Sequence, residues 1–98
     1  MLIIVATLQA KPDKKKEMEE ALRNIVPKVQ AEEGTLAYVL HRSSMDDGKF
    51  LFYEKYINKE ALDFHSSTPY FKELFGIIGP LLATDPSIEI YEELESAK

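Results

Sequence analysis

The sequence predicts an α+β domain, a four-stranded antiparallel sheet with helices on one face, in the order β-α-β-β-α-β. Three observations carry that expectation. Four short runs are rich in apolar and aromatic residues: Leu2–Leu8, Leu36–Arg42, Phe50–Ile57 and Ser87–Leu94. The segments after the first and third runs carry helix-start signals and helical spacing. Only the polar stretch Ser43–Lys49, with Asp46-Asp47-Gly48, joins the second and third runs, which suits an antiparallel hairpin. The arrangement is ferredoxin-like, a fold that hosts many functions.

Each element has its own signature. Leu2 to Leu8 is apolar on both faces, as in a strand covered on both sides. Pro12-Asp13 punctuates, and Asp13 is expected to cap the first helix. Met18, Ala21, Leu22, Ile25 and Val29 form one face of that helix. Pro27 falls inside the pattern and is expected to kink it or begin a new turn. Gly34 is expected to end the helix in the left-handed conformation. In the second strand Leu36, Tyr38 and Leu40 share one face, with Ala37, Val39 and His41 on the other. Asn58 should cap a short helix bearing His65, and Thr68-Pro69 should start another, reaching as far as Leu82 if Gly76 and Gly79-Pro80 allow. Asp85-Pro86 turns the chain into the last strand, with Ile88, Ile90 and Leu94 on one face.

Ninety-eight residues without linker or repeat make one domain, 1–98. The net charge is −5, and Glu17, Glu19 and Glu20 neutralise the Lys14-Lys15-Lys16 triplet, so nucleic acid is not an expected partner. With no cysteine and only His41 and His65, neither a disulfide nor a metal site is expected. No apolar stretch approaches the roughly 20 residues of a membrane span. The start reads as a strand rather than a signal peptide, so the expected location is cytoplasmic, with no membrane partner. Strands one to three are apolar on both faces, and one helix layer hides only one of them. A homodimer through the other sheet face is therefore expected.

Candidate chemistry concentrates between Phe50 and Lys72. His65 is the leading candidate, because imidazole exchanges a proton near neutral pH. The alternative is a histidine that hydrogen-bonds a helix end or a strand carbonyl. Glu54, among Phe52, Tyr53 and Tyr56, is expected to be partly desolvated and to orient His65 or serve as a second base. Its alternative is an ion pair with Lys55, Lys59 or Arg42. Tyr38, Phe52, Phe64, Tyr70 and Phe71 are candidate walls of a small-molecule pocket, or else core. His41, near the end of strand two, reads as solvated, or else as a contact to a phosphate or a partner subunit.

Glu32-Glu33-Gly34, Tyr38, Phe52-Tyr53-Glu54-Lys55-Tyr56, Ala61-Leu62-Asp63-Phe64-His65 and Ser67-Thr68-Pro69-Tyr70-Phe71 together resemble the antibiotic biosynthesis monooxygenase family, small dimeric α/β barrel proteins. The resemblance spans essentially the whole chain. It implies a cofactor-independent monooxygenase of a small aromatic or quinol-like metabolite, with His65 as base, Glu54 beside it and no cofactor. Members also include haem-degrading oxygenases and an enzyme that processes phosphorylated autoinducer-2. The latter makes processing of a small phosphorylated hydroxy-ketone the alternative, with Lys72 and Arg42 as candidate phosphate contacts. A non-enzymatic ligand-binding dimer is the third reading. Haem degradation is not expected, because Thr7, His65 and Phe75 stand where those relatives have asparagine, tryptophan and the axial histidine. Tyr70 stands where many relatives have histidine.

Overall fold

A computed structural model describes all residues, 1–98. The expected element order is observed: β1 (Leu2–Gln9), α1 (Lys15–Val29), β2 (Thr35–Arg42), β3 (Lys49–Tyr56), α2 (Lys59–Ser67), α3 (Pro69–Ile78), a 3₁₀ turn (Gly79–Leu81) and β4 (Ser87–Glu92). The two helices expected after β3 are α2 and α3, and the latter gives way to the 3₁₀ turn before Leu82. The four strands form one antiparallel sheet in the order β2-β3-β1-β4. No helix is long and apolar enough to cross a membrane.

Strand alternation decides what the helices cover. The register pairs Ile4 with Glu54, Ala6 with Phe52 and Leu8 with Phe50, so these side chains share one face. The apolar ones pack with Met18, Leu22, Ile25 and Val29 of α1 and Leu74 and Ile78 of α3 into a single core cluster that also holds Tyr56. Burying each large apolar side chain contributes about 1.5–3 kcal/mol. Thr7 pairs with Leu51 and Val5 with Tyr53 on the opposite face, where the half-buried Tyr53 and the exposed Val39 lie without a helix above them. Every residue of β4 is exposed, including Ile88 and Ile90 on the helix side.

Two helix-end expectations are corrected. Asp13 does not cap α1: the helix starts at Lys15 after Lys14, which supplies no side-chain cap. The reason lies in the preceding turn, where Lys11 N–H bonds the Leu81 carbonyl and Lys14 N–H bonds the Lys11 carbonyl. That turn leaves Asp13 exposed and ahead of the cap position. Gly34 does not end α1 either. The helix stops at Val29, Gln30 is still right-handed, and no glycine has positive φ. Pro27 lies inside α1, which continues through it to Val29.

Gly34 is needed instead for close approach. A Cβ there would stand 2.5 Å from the Cβ of Ala61 in α2, and the Ile57 N–H bonds the Gly34 carbonyl at 3.0 Å. The loop after α1 is thereby pressed against α2. Gly34→Ala should destabilise the fold by about 1–3 kcal/mol through overpacking, measured by denaturant unfolding, and Ala61→Gly in the same chain should recover part of the loss. A Gly34→Ala protein as stable as the parent would show that the loop and α2 separate freely.

Candidate active site

Local chemistry fixes where His65 sits. Asn58 accepts from the Ala61 N–H at 2.9 Å and starts α2. The helix must stop before Pro69, because a residue preceding proline disfavours the helical region, and Thr68 is extended. Thr68 then serves both helices. Its hydroxyl donates to the His65 carbonyl at 2.8 Å and accepts from the Phe71 N–H at 3.3 Å. The α2–α3 corner is thus pinned at the backbone of His65.

The imidazole itself is 1% exposed and rests among the rings of Tyr38, Phe71 and Tyr56, with centroids 5.1, 5.0 and 5.6 Å away. Its Nδ1 lies 3.1 Å from both carboxylate oxygens of Glu32. Glu32, 6% exposed, also accepts from the Thr35 hydroxyl at 3.0 Å and from the Tyr70 hydroxyl. A carboxylate held by several donors is an acceptor only, so Nδ1 carries the proton toward it. The neutral ring then has a bare lone pair on Nε2. That atom is buried and has no partner in the protein.

A cavity of about 180 Å³ adjoins this ring. Twelve of its sixteen lining residues are apolar. Tyr38, Phe52, Glu54, His65 and Phe71 all line it, so five of the seven sequence-predicted site residues come together. His65 is a lining residue, whereas Glu32, which holds Nδ1, is not. Larger depressions of about 390 and 490 Å³ lie against α1, with Glu17, Glu20, Lys28 and Glu73 lining one and Glu19, Arg23 and Arg42 the other.

The expected roles are redistributed. Glu54 is not the residue that orients His65; Glu32 is. Alternation along β3 puts Glu54 on the helix side, where its Oε1 accepts from the Tyr56 hydroxyl at 2.6 Å. It forms no ion pair, because Lys55 faces the other side of the sheet and pairs with Glu93, Lys59 pairs with Asp63, and Arg42 pairs with Glu19. Phe64 does not line the cavity. One residue from His65 is about 100° around a helix, and Phe64 projects outward, 59% exposed. Tyr70 is also absent from the lining; it faces the α1–α3 groove while its hydroxyl reaches Glu32. His41 is exposed at the sheet edge, with Nδ1 3.1 Å from the Val39 carbonyl. Glu32 is the functional residue that sequence reasoning missed. The only hint was its place in Glu32-Glu33-Gly34.

Burial sets the electrostatics. Loss of water pushes the Glu54 carboxyl up from 4.5 to about 7, against the Tyr56 hydrogen bond that lowers it and with the nearby Glu32 charge that raises it. Burial and the two carboxylates hold the Tyr38 phenol protonated far above neutrality, and no hydrogen bond within the protein uses it. It is a donor free for a ligand. Tyr70 is pushed up to about 12, first by burial and then by its bond to Glu32.

The family model described as antibiotic biosynthesis monooxygenase matches residues 1–76. A Pseudomonas aeruginosa protein of known structure, PA3566, is 30% identical over 96% of this chain and 94% of its own, with a TM-score of 0.90. The Mycobacterium tuberculosis protein named "Putative monooxygenase Rv0793" is 26% identical over 96% of this chain and 92% of its own, and its structure superposes with a TM-score of 0.92. An uncharacterized Synechocystis protein, sll1783, is 33% identical over 97% of this chain, which spans 65% of that relative's length.

The Glu54 shift has a measurable sign. Between 4.5 and about 7 the folded state binds more protons than the unfolded one. Stability contributed by this group is complete below about pH 4.5, declines as pH rises through about 7, and is then constant. The whole effect is at most about 3 kcal/mol. Glu54→Gln should flatten that decline, read as unfolding free energies at about pH 5 and about pH 8. Equal declines in parent and variant would mean that Glu54 ionises in the fold as readily as in water.

Proposed function

The chain belongs to the antibiotic biosynthesis monooxygenase family, and from that premise we propose that it is a cofactor-independent monooxygenase of a small aromatic or quinol-like metabolite. One observation carries the reading. A buried imidazole that lines an apolar cavity has Nδ1 held by a carboxylate and Nε2 unpartnered. That is the form of a general base awaiting an O–H group. Removing the proton of a hydroxyarene gives an electron-rich anion that reacts with oxygen. Tyr38, with its unused hydroxyl, supports a second contact to a substrate oxygen. The cavity, about 180 Å³, compares with the roughly 150 Å³ that accommodates benzene, so it suits one ring better than several.

Processing of a phosphorylated hydroxy-ketone is supported less well. A phosphate needs a cation, and no lysine or arginine lines the cavity. Arg42 is engaged by Glu19, and Lys72 is exposed on α3. A ligand-binding protein without turnover would use the same cavity, and oxygen consumption with a panel of quinols distinguishes it from the enzyme.

His65→Ala should lower oxygen consumption on the active quinol by roughly 10²–10⁴-fold, the range for a lost general base, with most molecules still folded by thermal melt. A folded variant with unchanged turnover would remove His65 from the mechanism.

The dimer belongs to the same proposal. The sheet face bearing Val5, Tyr53 and Val39 has no helix above it, and a second copy laid on it would form the paired barrel that the family resemblance implies. Sedimentation at micromolar concentration should give a species twice the 11.2 kDa of one chain. A single species at the chain mass would count against it.

A further inference from the structure

The base accounts for only one of the two titratable residues with carboxylate or imidazole chemistry that line the cavity; Glu54 is the other. It is 6% exposed, and its one hydrogen bond, from Tyr56, occupies only Oε1. The polar groups near it are the phenols of Tyr38 from β2 and Tyr56 from β3, the Glu32 carboxylate from the α1–β2 loop, and His65 from α2. From β1, α3 and β4 the cavity receives Ile4, Phe71 and Ile90. No cation accompanies Glu54, and a buried carboxylate without one favours its neutral form. The raised value of about 7 agrees with that geometry.

We infer that Glu54 is the proton donor of the oxygenation, entering the reaction as a neutral acid opposite the basic His65. The inference rests on the monooxygenase reading above. His65 Nε2 takes the O–H proton of the hydroxyarene. A ring carbon that bears hydrogen then bonds to dioxygen, which becomes a peroxide anion. Glu54 gives its proton to the distal oxygen. The resulting carboxylate removes the hydrogen of that carbon as a proton. The C–H electron pair becomes the second bond of a new carbonyl, and the O–O bond breaks. The departing hydroxide takes the proton held by His65 and leaves as water. The substrate gains one oxygen and loses two hydrogens, dioxygen supplies the carbonyl oxygen and the water, and both side chains regain their starting forms. A single base cannot hold the substrate proton and protonate the peroxide at once, and a peroxide anion in an apolar cavity is as poorly solvated as a carboxylate there. Two groups of opposite protonation meet both demands.

The test uses Glu54→Gln, which keeps the size and the acceptor for Tyr56 but has no proton to transfer, with methylhydroquinone and 1,4-dihydroxynaphthalene as probes. Without oxygen, absorbance reports ionisation of the bound probe. Glu54→Gln should retain that ionisation and His65→Ala should lose it. With oxygen, Glu54→Gln should consume it about 10²-fold more slowly or worse. The parent's kcat should fall as pH rises through about 7, where Glu54 loses its proton, and this limb should vanish in the variant. An infrared carboxylic-acid band near neutral pH, present in the parent and absent in Glu54→Gln, reports the neutral acid without any substrate. If the variant does not fold, isotopic labelling of glutamate in the parent assigns the band. An active parent with an equally active Glu54→Gln, or a parent lacking the band, overturns the inference and leaves the function standing. A parent that consumes no oxygen with either probe, whatever the band shows, overturns both.

Discussion

Glu32 is the point on which the rest of the structure depends. Taking a carboxylate out of water costs several kcal/mol, and the cost is offset only when donors surround it. Here the donors come from three elements: Thr35 of β2, His65 of α2 and Tyr70 of α3. Each hydrogen bond to a charged group contributes about 1.5–3 kcal/mol. The loop after α1 is therefore tied to both helices that follow β3, and the Gly34–Ala61 approach lets the backbones come near enough for those bonds to form. The imidazole can turn neither away from Glu32 nor toward water. Its tautomer and its aim are consequences of the tertiary structure.

The second constraint is desolvation on the helix side of the sheet. The helices leave β4 bare on its cavity side, and Ala6 in β1 is small, so packing is incomplete between the sheet and α3. The remaining space is walled by rings and branched side chains rather than by charges. Burial, helped by the neighbouring carboxylate charges, pushes Glu54 and the phenols of Tyr38 and Tyr56 toward their protonated forms. Desolvation is thus the largest influence on these groups, whose charged forms are negative, and the neighbouring carboxylates add to it.

Much of the fold was legible because its signals are local. Alternation announced the strands, the hairpin followed from Asp46-Asp47-Gly48, and Asn58 and Thr68-Pro69 marked helix starts that the structure places there. The failures also have local causes. Asp13 lost the cap because a preceding turn shifted the start of α1, and Gly34 lost its helix-ending role because α1 stops sooner, at Val29. Phe64 and His65 are neighbours in sequence, but a helix turns them to different surroundings, and only packing decides which one faces inward.

By itself the sequence determined the element order, the antiparallel sheet and the collection of His65, Glu54 and aromatic rings on the segment that follows the hairpin. Only the tertiary structure decided which carboxylate serves the histidine. Glu54 looked like its partner because both lie in the same stretch of chain, yet Glu32 holds it from 33 positions away, and Tyr70 reaches Glu32 across 38. Propensity and periodicity act over a few residues. Desolvation and hydrogen bonding act between whatever side chains the packed core brings within about 3 Å of each other, and no spacing along the chain records that.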